Sequence, residues 1–274
     1  MPAFSDLNDA SPILDFHAHI FPPKVAARAV ASIGEFYDLP MTGGAGTLDD
    51  LLAQSRTAGI SHSVIFSTAT RLEQVDSINQ FILRCQQSEP SFTAFGTLHP
   101  AMTDDAVDQE ITKILDYGLR GIKMHPDFQR IAADSPFVIH AARSMAGRLP
   151  LLLHAGDARQ DFSQPWRIRN LALACPETVI IAAHLGGYSQ WTEAVAQLAG
   201  LANVYVDTSS SLAFLADEEA VRQIRSYHPR HVLFGTDYPM WSPVDEMCRF
   251  RALPLTDDEQ KAILWENGRV LLNL

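Results

Sequence analysis

Short apolar blocks recur along the chain, and most end in polar, Gly or Pro residues. They predict strands at Ile13–His17, His62–Ser67, Phe92–Leu98, Arg120–Met124, Leu151–His154, Val179–Ala183, Val204–Asp207 and Val232–Thr236. Several, such as Leu151-Leu-Leu153, lack polar alternation, which is how strands buried on both faces of a parallel sheet read. Between them the period changes to that of helices. Thr47 caps a helix over Leu48–Ala58 that ends at Gly59, and Val75–Gln87 repeats apolar residues at helical spacing. Ala106–Tyr117 runs into Gly118. Ser135-Pro136 opens a helix reaching about Gly147. Trp166–Ala174, Trp191–Leu198 and Glu218–Tyr227 follow, and Thr256 with Glu259 forms a capping box for the last helix.

Strands alternating with helices over this length predict a single-domain (β/α)₈ TIM barrel across residues 1–274. A doubly wound open sheet is the alternative, but such sheets seldom reach eight parallel strands. No GxGxxG follows the first strand either. The longest insertion, 20–47, follows strand one. It contains a basic helix-like piece, Pro23–Ile33, and a Gly43-Gly-Ala-Gly46 run expected to be flexible. It is expected to overhang the mouth of the barrel as a lid.

Composition narrows the partners. Apolar residues make up 47 % of the chain, so a large core is available. Acidic residues outnumber basic ones, 32 to 21, giving a net charge of −11. Such a surface repels nucleic acid and anionic lipid, which leaves a small-molecule substrate as the expected partner. No apolar stretch is long enough to span a bilayer, and the N-terminus lacks the pattern of a secretory signal. Cys85, Cys175 and Cys248 lie far apart without a CxxC pair. Together these suit a cytoplasmic protein, with a homodimer as a further possibility.

The histidines carry the chemistry. His17, His125, His154 and His184 sit at or just past the ends of predicted strands, and His19 lies two beyond His17. Barrel active sites lie at those ends, so the side chains are expected to converge. Strand alternation places His17 and His19 on one face, able to chelate one divalent ion, with Asp15 on the same face. A buried His154, His184 or Asp237 needs a partner, and a metal supplies one. Three imidazoles and a carboxylate suit one zinc ion, or another first-row ion such as manganese. Zinc lowers the pKa of a bound water from 15.7 to about 7, and His184 is the candidate base to take its proton.

At this point the motifs resemble the amidohydrolase superfamily, in particular its amidohydrolase 2 branch. They are Asp15-Phe-His17-Ala-His19, Gly121-Ile-Lys123-Met-His125-Pro126, His154-Ala-Gly156, His184-Leu-Gly186-Gly187 and Gly235-Thr-Asp237-Tyr-Pro239, in the family's order. The resemblance implies that His17, His19, His154 and Asp237 ligate a single metal. It implies that His184, with Asp237, handles the proton. Lys123 and His125 would meet substrate, and Asp15 would accept from a ligating ring. In binuclear relatives the fourth-strand lysine is carboxylated; in this branch it usually stays an amine. Arg159 is a candidate for a substrate carboxylate. His99, Trp166, Tyr188, Trp191 and Trp241 are weaker pocket candidates. The expected activity is hydrolysis of an amide, ester or lactone. The alternative is non-oxidative decarboxylation of an aromatic or unsaturated acid. A scaffold without chemistry would lack a ligand, and none is missing.

Overall fold

Blocks such as Val64–Phe66 and Leu151–Leu153 are continuous because both of their faces are covered. In the computed structural model, which describes residues 11–274, eight parallel strands alternate with helices. They are β1 (Leu14–His19), β2 (His62–Phe66), β3 (Phe92–Ala94), β4 (Ile122–Met124), β5 (Leu151–Leu153), β6 (Ile180–Ala182), β7 (Val204–Asp207) and β8 (Val232–Leu233). Ladders join β1 to β3 and β4 to β8 in sequence order. Two bridges close the circle. Gly96 pairs with Ile122, and Ala18 pairs with Tyr238. The Lys123 N–H donates to the Gly96 carbonyl at 2.8 Å, and that of His19 to Tyr238 at 2.7 Å. The chain is therefore a (β/α)₈ barrel. Residues 1–10, which carry most of the N-terminal stretch expected to lack a secretory signal, lie outside the described residues.

Strand alternation divides the core. Leu151 and Leu153 face the helices, in a shell with Ile111, Val138 and Ile168. Leu152 faces the lumen with Leu14, Phe16, Phe66, Phe95 and Ile181. Phe16 and Phe95 meet edge-on with centroids 5.9 Å apart. These side chains fill the lumen, so the barrel is a packed core and not a pore. Among the described residues, no helix is long and apolar enough to cross a membrane.

The helices start where small polar residues leave orphan N–H groups to be capped. Thr47 accepts from the Asp50 N–H at the start of α2 (Leu48–Ala58). Thr103 does the same for α4 (Asp104–Asp116), which begins two residues before the expected Ala106 because its cap precedes two aspartates. The Thr256–Glu259 capping box is present. The insertion forms α1 (Pro23–Tyr37), one turn longer than its basic core predicts.

The Gly43–Gly46 run is not free. Its Gly43 N–H donates to the Pro239 carbonyl at 3.1 Å, and its Gly46 N–H to the Tyr238 hydroxyl at 2.9 Å. A Cβ at Gly43 would stand 2.3 Å from the Trp241 carbonyl oxygen. Glycine is needed here for close approach to the loop after β8, and the run expected to be flexible is a packed strap.

Candidate active site

The first strand departs from simple alternation. Asp15 pairs with Ser63 but Ala18 with Ile65, so β1 holds one extra residue between them. Such a bulge re-aims side chains. Asp15 turns to β8: its carboxylate accepts from the Thr236 N–H at 2.9 Å and the Thr236 hydroxyl at 2.6 Å. Burial pushes this carboxyl up to about 7 in spite of those bonds. It fastens β1 to β8 and does not orient an imidazole, which corrects the role expected for it.

That role falls to Asp207 at the end of β7. Its Oδ2 lies 2.9 Å from His17 Nδ1, both groups fully buried. Its Oδ1 accepts from the His184 N–H at 3.1 Å. The Ser209 hydroxyl lies 3.1 Å from His17 Nδ1 and 2.9 Å from His184 Nδ1. Sequence reading passed over Asp207, although Val204-Tyr-Val-Asp207 ends in a carboxylate just as the eighth-strand motif does.

With Nδ1 donating to Asp207, His17 Nε2 is left as an acceptor and lines the cavity. It lies 3.3 Å from His19 Nε2 and 3.3 Å from Asp237 Oδ1, and His19 Nε2 is 3.6 Å from the same oxygen. A point equidistant from the corners of a triangle with those edges lies about 2.0 Å from each, a zinc–nitrogen or zinc–oxygen bond length. Three converging acceptors repel unless a cation sits among them, so the donor set fits a divalent ion. These three residues form one metal-capable cluster, and His17, His184 and Asp207 form a second, overlapping one.

Lys123 Nζ stands 3.3 Å from His17 Nε2 and over the Phe66 ring. Burial brings its ammonium down to about 8. Burial, then Lys123, holds His17 and His19 well below the usual imidazole range, so both are neutral and able to ligate. Burial raises Asp237 to about 7, against a 2.5 Å bond from the Ser210 hydroxyl. Asp237 and His184 both adopt positive φ, 59° and 61°, strain of a kind that gathers at functional sites.

His154 stands apart from the three-residue cluster. Its Nδ1 lies 2.9 Å from His184 Nε2, and its Nε2 is 3.4 Å from Asp127 Oδ2. His184 Nδ1 donates to the Ser209 carbonyl at 3.1 Å, so its Nε2 lone pair is taken by His154. Burial lowers His184 to about 3. The expected base is thus engaged at both nitrogens. Arg159 also falls outside the cavity lining. Asp157 already neutralises it, with Nε–Oδ1 at 3.0 Å and Nη2–Oδ2 at 2.8 Å. His99 accepts from the Ala101 N–H within its own turn, and Trp166 is exposed.

The cavity over this floor is small, with about 20 Å³ open to the centre of a water-sized sphere. Its floor is His17, His19, Lys123 and Asp237, and its walls include Ile33, Tyr37, Met41 and Phe128. Ile33 and Tyr37 come from α1, so residues of the insertion line the cavity. No chemical pattern in the insertion marks Tyr37; only the fold brings it in.

A closed parallel barrel with imidazoles and a carboxylate at its strand ends defines a barrel enzyme with a metal-type site. More particularly, the chain belongs to the amidohydrolase family, whose description, Amidohydrolase, matches residues 14–274. Among curated proteins, none matches the chain. Solved structures share the fold at low identity. An uncharacterised TIM-barrel protein from Bordetella bronchiseptica is 18 % identical with a TM-score of 0.81, covering 96 % of this chain and 99 % of that one. A 5-carboxyvanillate decarboxylase from Sphingomonas paucimobilis is 14 % identical with a TM-score of 0.73, covering 97 % and 100 %. A dihydroxybenzoic acid decarboxylase from Polaromonas sp. JS666, with bound manganese and 2-nitroresorcinol, is 15 % identical with a TM-score of 0.73, covering 97 % and 98 %.

Proposed function

We propose that this chain is a divalent-metal-dependent, non-oxidative decarboxylase of a small aromatic or unsaturated carboxylic acid. The observation that carries this reading is the make-up of the cavity. Its floor joins three metal-capable acceptors to the buried Lys123 ammonium, and its walls are apolar or aromatic. A flat acid would lie with its carboxylate down, toward Lys123 and the three acceptors. Lys123, not Arg159, is the cation that meets it. The decarboxylases among the structural neighbours act, by name, on aromatic acids. At this identity they support the reading without carrying it.

His17, His19 and Asp237 would hold the ion, with His154 the fourth ligand that the family resemblance implies. Manganese, bound in one neighbour, joins zinc as the ion to test. When bound, the ion supplies Lewis-acid polarisation of the carboxylate. The C–C bond breaks, its electron pair stays on carbon, CO₂ departs and one proton replaces it. Asp237 is the residue to deliver that proton, because its carboxyl stands on the cavity floor whereas His184 is engaged at both nitrogens. Hydrolysis of an amide, ester or lactone would use the same floor, but no group in the cavity favours it.

The test is CO₂ release by manganese- or zinc-loaded protein from hydroxybenzoates and unsaturated acids, beside a panel of lactones and amides. The expected product in D₂O carries one deuterium at the vacated carbon. Inert acids together with hydrolysed lactones or amides would overturn the proposal.

A further inference from the structure

His125 was expected to bind substrate directly, but the hydrogen bonds around it assign that contact elsewhere. The Phe128 N–H donates to His125 Nδ1 at 3.3 Å. A backbone N–H can only donate, so Nδ1 is the acceptor of the ring and Nε2 carries the proton of the neutral imidazole. His125 Nε2 lies 2.9 Å from the Tyr37 hydroxyl, so the imidazole donates and the phenol oxygen accepts. The Tyr37 proton is then left to donate elsewhere. Among the described residues it finds only the His154 ring nitrogens at 3.5 Å, the limit of a hydrogen bond. One of these, Nδ1, is already committed to His184.

The phenol is held for this task. His125 lies flat between Phe128 and His154, with centroids 3.7 and 4.1 Å away and planes within 7°. The Arg159 guanidinium, fixed by Asp157, covers the Phe36 and Tyr37 rings at 5.7 and 5.8 Å. A phenol is ordinarily protonated near neutral pH, so it remains a donor there.

We infer that Tyr37, carried into the cavity by α1, donates a hydrogen bond to an oxygen of an anionic aromatic substrate, with His125 as the positioning residue behind it. The inference rests on the decarboxylase reading for its ligand class alone.

The probe is salicylate, titrated calorimetrically into manganese-loaded full-length protein. A hydrogen bond to a charged group contributes about 1.5 kcal/mol, so Tyr37→Phe should raise Kd about tenfold, with metal content unchanged. His125→Phe keeps a flat ring in the stack and should weaken binding similarly. The double variant should bind no worse than Tyr37→Phe, because His125 acts through the phenol. That cycle separates the proposed role from a structural one. A change below twofold in Tyr37→Phe, additive losses in the double variant, or no salicylate binding by the unmodified protein would each overturn the inference. CO₂ release is read separately. Salicylate binding that Tyr37→Phe weakens, with no acid decarboxylated, would refute the reaction and leave the Tyr37 contact standing.

Discussion

The two ends of the barrel are built from the same strands to opposite rules. Below, Leu14, Phe16, Phe66, Phe95, Leu152 and Ile181 fill the lumen with hydrocarbon. Above, within a residue or two along each strand, stand Asp15, His17, Lys123 and Asp207, each fully buried. The lower layer gains free energy by leaving water. The upper one places ionisable groups where their charged forms are costly. Burial is accordingly the first cause of every shift there: Asp15 and Asp237 rise to about 7, Lys123 falls to about 8, and the imidazoles become neutral. The lower end holds the structure together, and the upper end is arranged for a ligand.

The sharpest break of this contrast is His17→Ala/His19→Ala. Removing two of the three converging donors should take bound metal from about one ion per chain to none, and with it the activity, as read by plasma mass spectrometry. The variant also removes the edge contacts of both rings with Phe66 and the His17 bond to Asp207, so circular dichroism should be read beside metal content to show that the fold survives. Phe95→Ala is the mirror experiment. It opens a cavity among Phe16, Phe66 and Gly121 and should cost about 3–5 kcal/mol. At roughly 2–4 °C per kcal/mol the thermal midpoint drops visibly while metal is retained. Equal loss of metal in both variants would erase the distinction between the two ends.

Asp207→Asn probes the seam between them. It keeps the shape but removes the carboxylate that fixes the His17 tautomer. Metal affinity should fall about 10–100-fold with little change in stability. Unchanged affinity would return the orienting role to another group.

Most of the lower end was legible in the sequence, because apolar blocks and punctuation report burial directly. All eight strands and the capping at Thr47, Ser135 and Thr256 follow from local rules. The (β/α)₈ class follows from their order. The upper end was legible only in its inventory. His17, His19, His125, His154, His184, Lys123 and Asp237 do gather at one mouth, yet their partners are set by tertiary detail. The β1 bulge turns Asp15 away. Asp157 captures Arg159 from two residues back. Tyr37 arrives on a helix whose pattern shows only amphipathicity. The Gly43–Gly46 run reads as flexible until the Trp241 carbonyl is placed against it.

The smallest effect tests whether burying a carboxyl has the same consequence away from the site. Glu246 on α10 (Pro243–Ala252) is fully buried, and burial pushes it up to about 7 although Arg249 Nη1 lies 2.5 Å from its Oε1. Its Oε2 has no hydrogen-bond partner among the described residues. The native state therefore holds a proton on Glu246 between an unfolded value of about 4.3 and about 7, while the unfolded chain has released it. Stability from this group is present below that window and is lost as pH rises through 7. Arg249 is part-exposed and offsets some of the loss, so the drop between pH 5 and 8 should be roughly 1–2 kcal/mol. Glu246→Gln accepts the same arginine bond without a charge, and its urea midpoint should lose that share of the pH dependence. Parallel pH profiles for the two proteins would mean that Glu246 is ionised throughout, held by Arg249 against its burial.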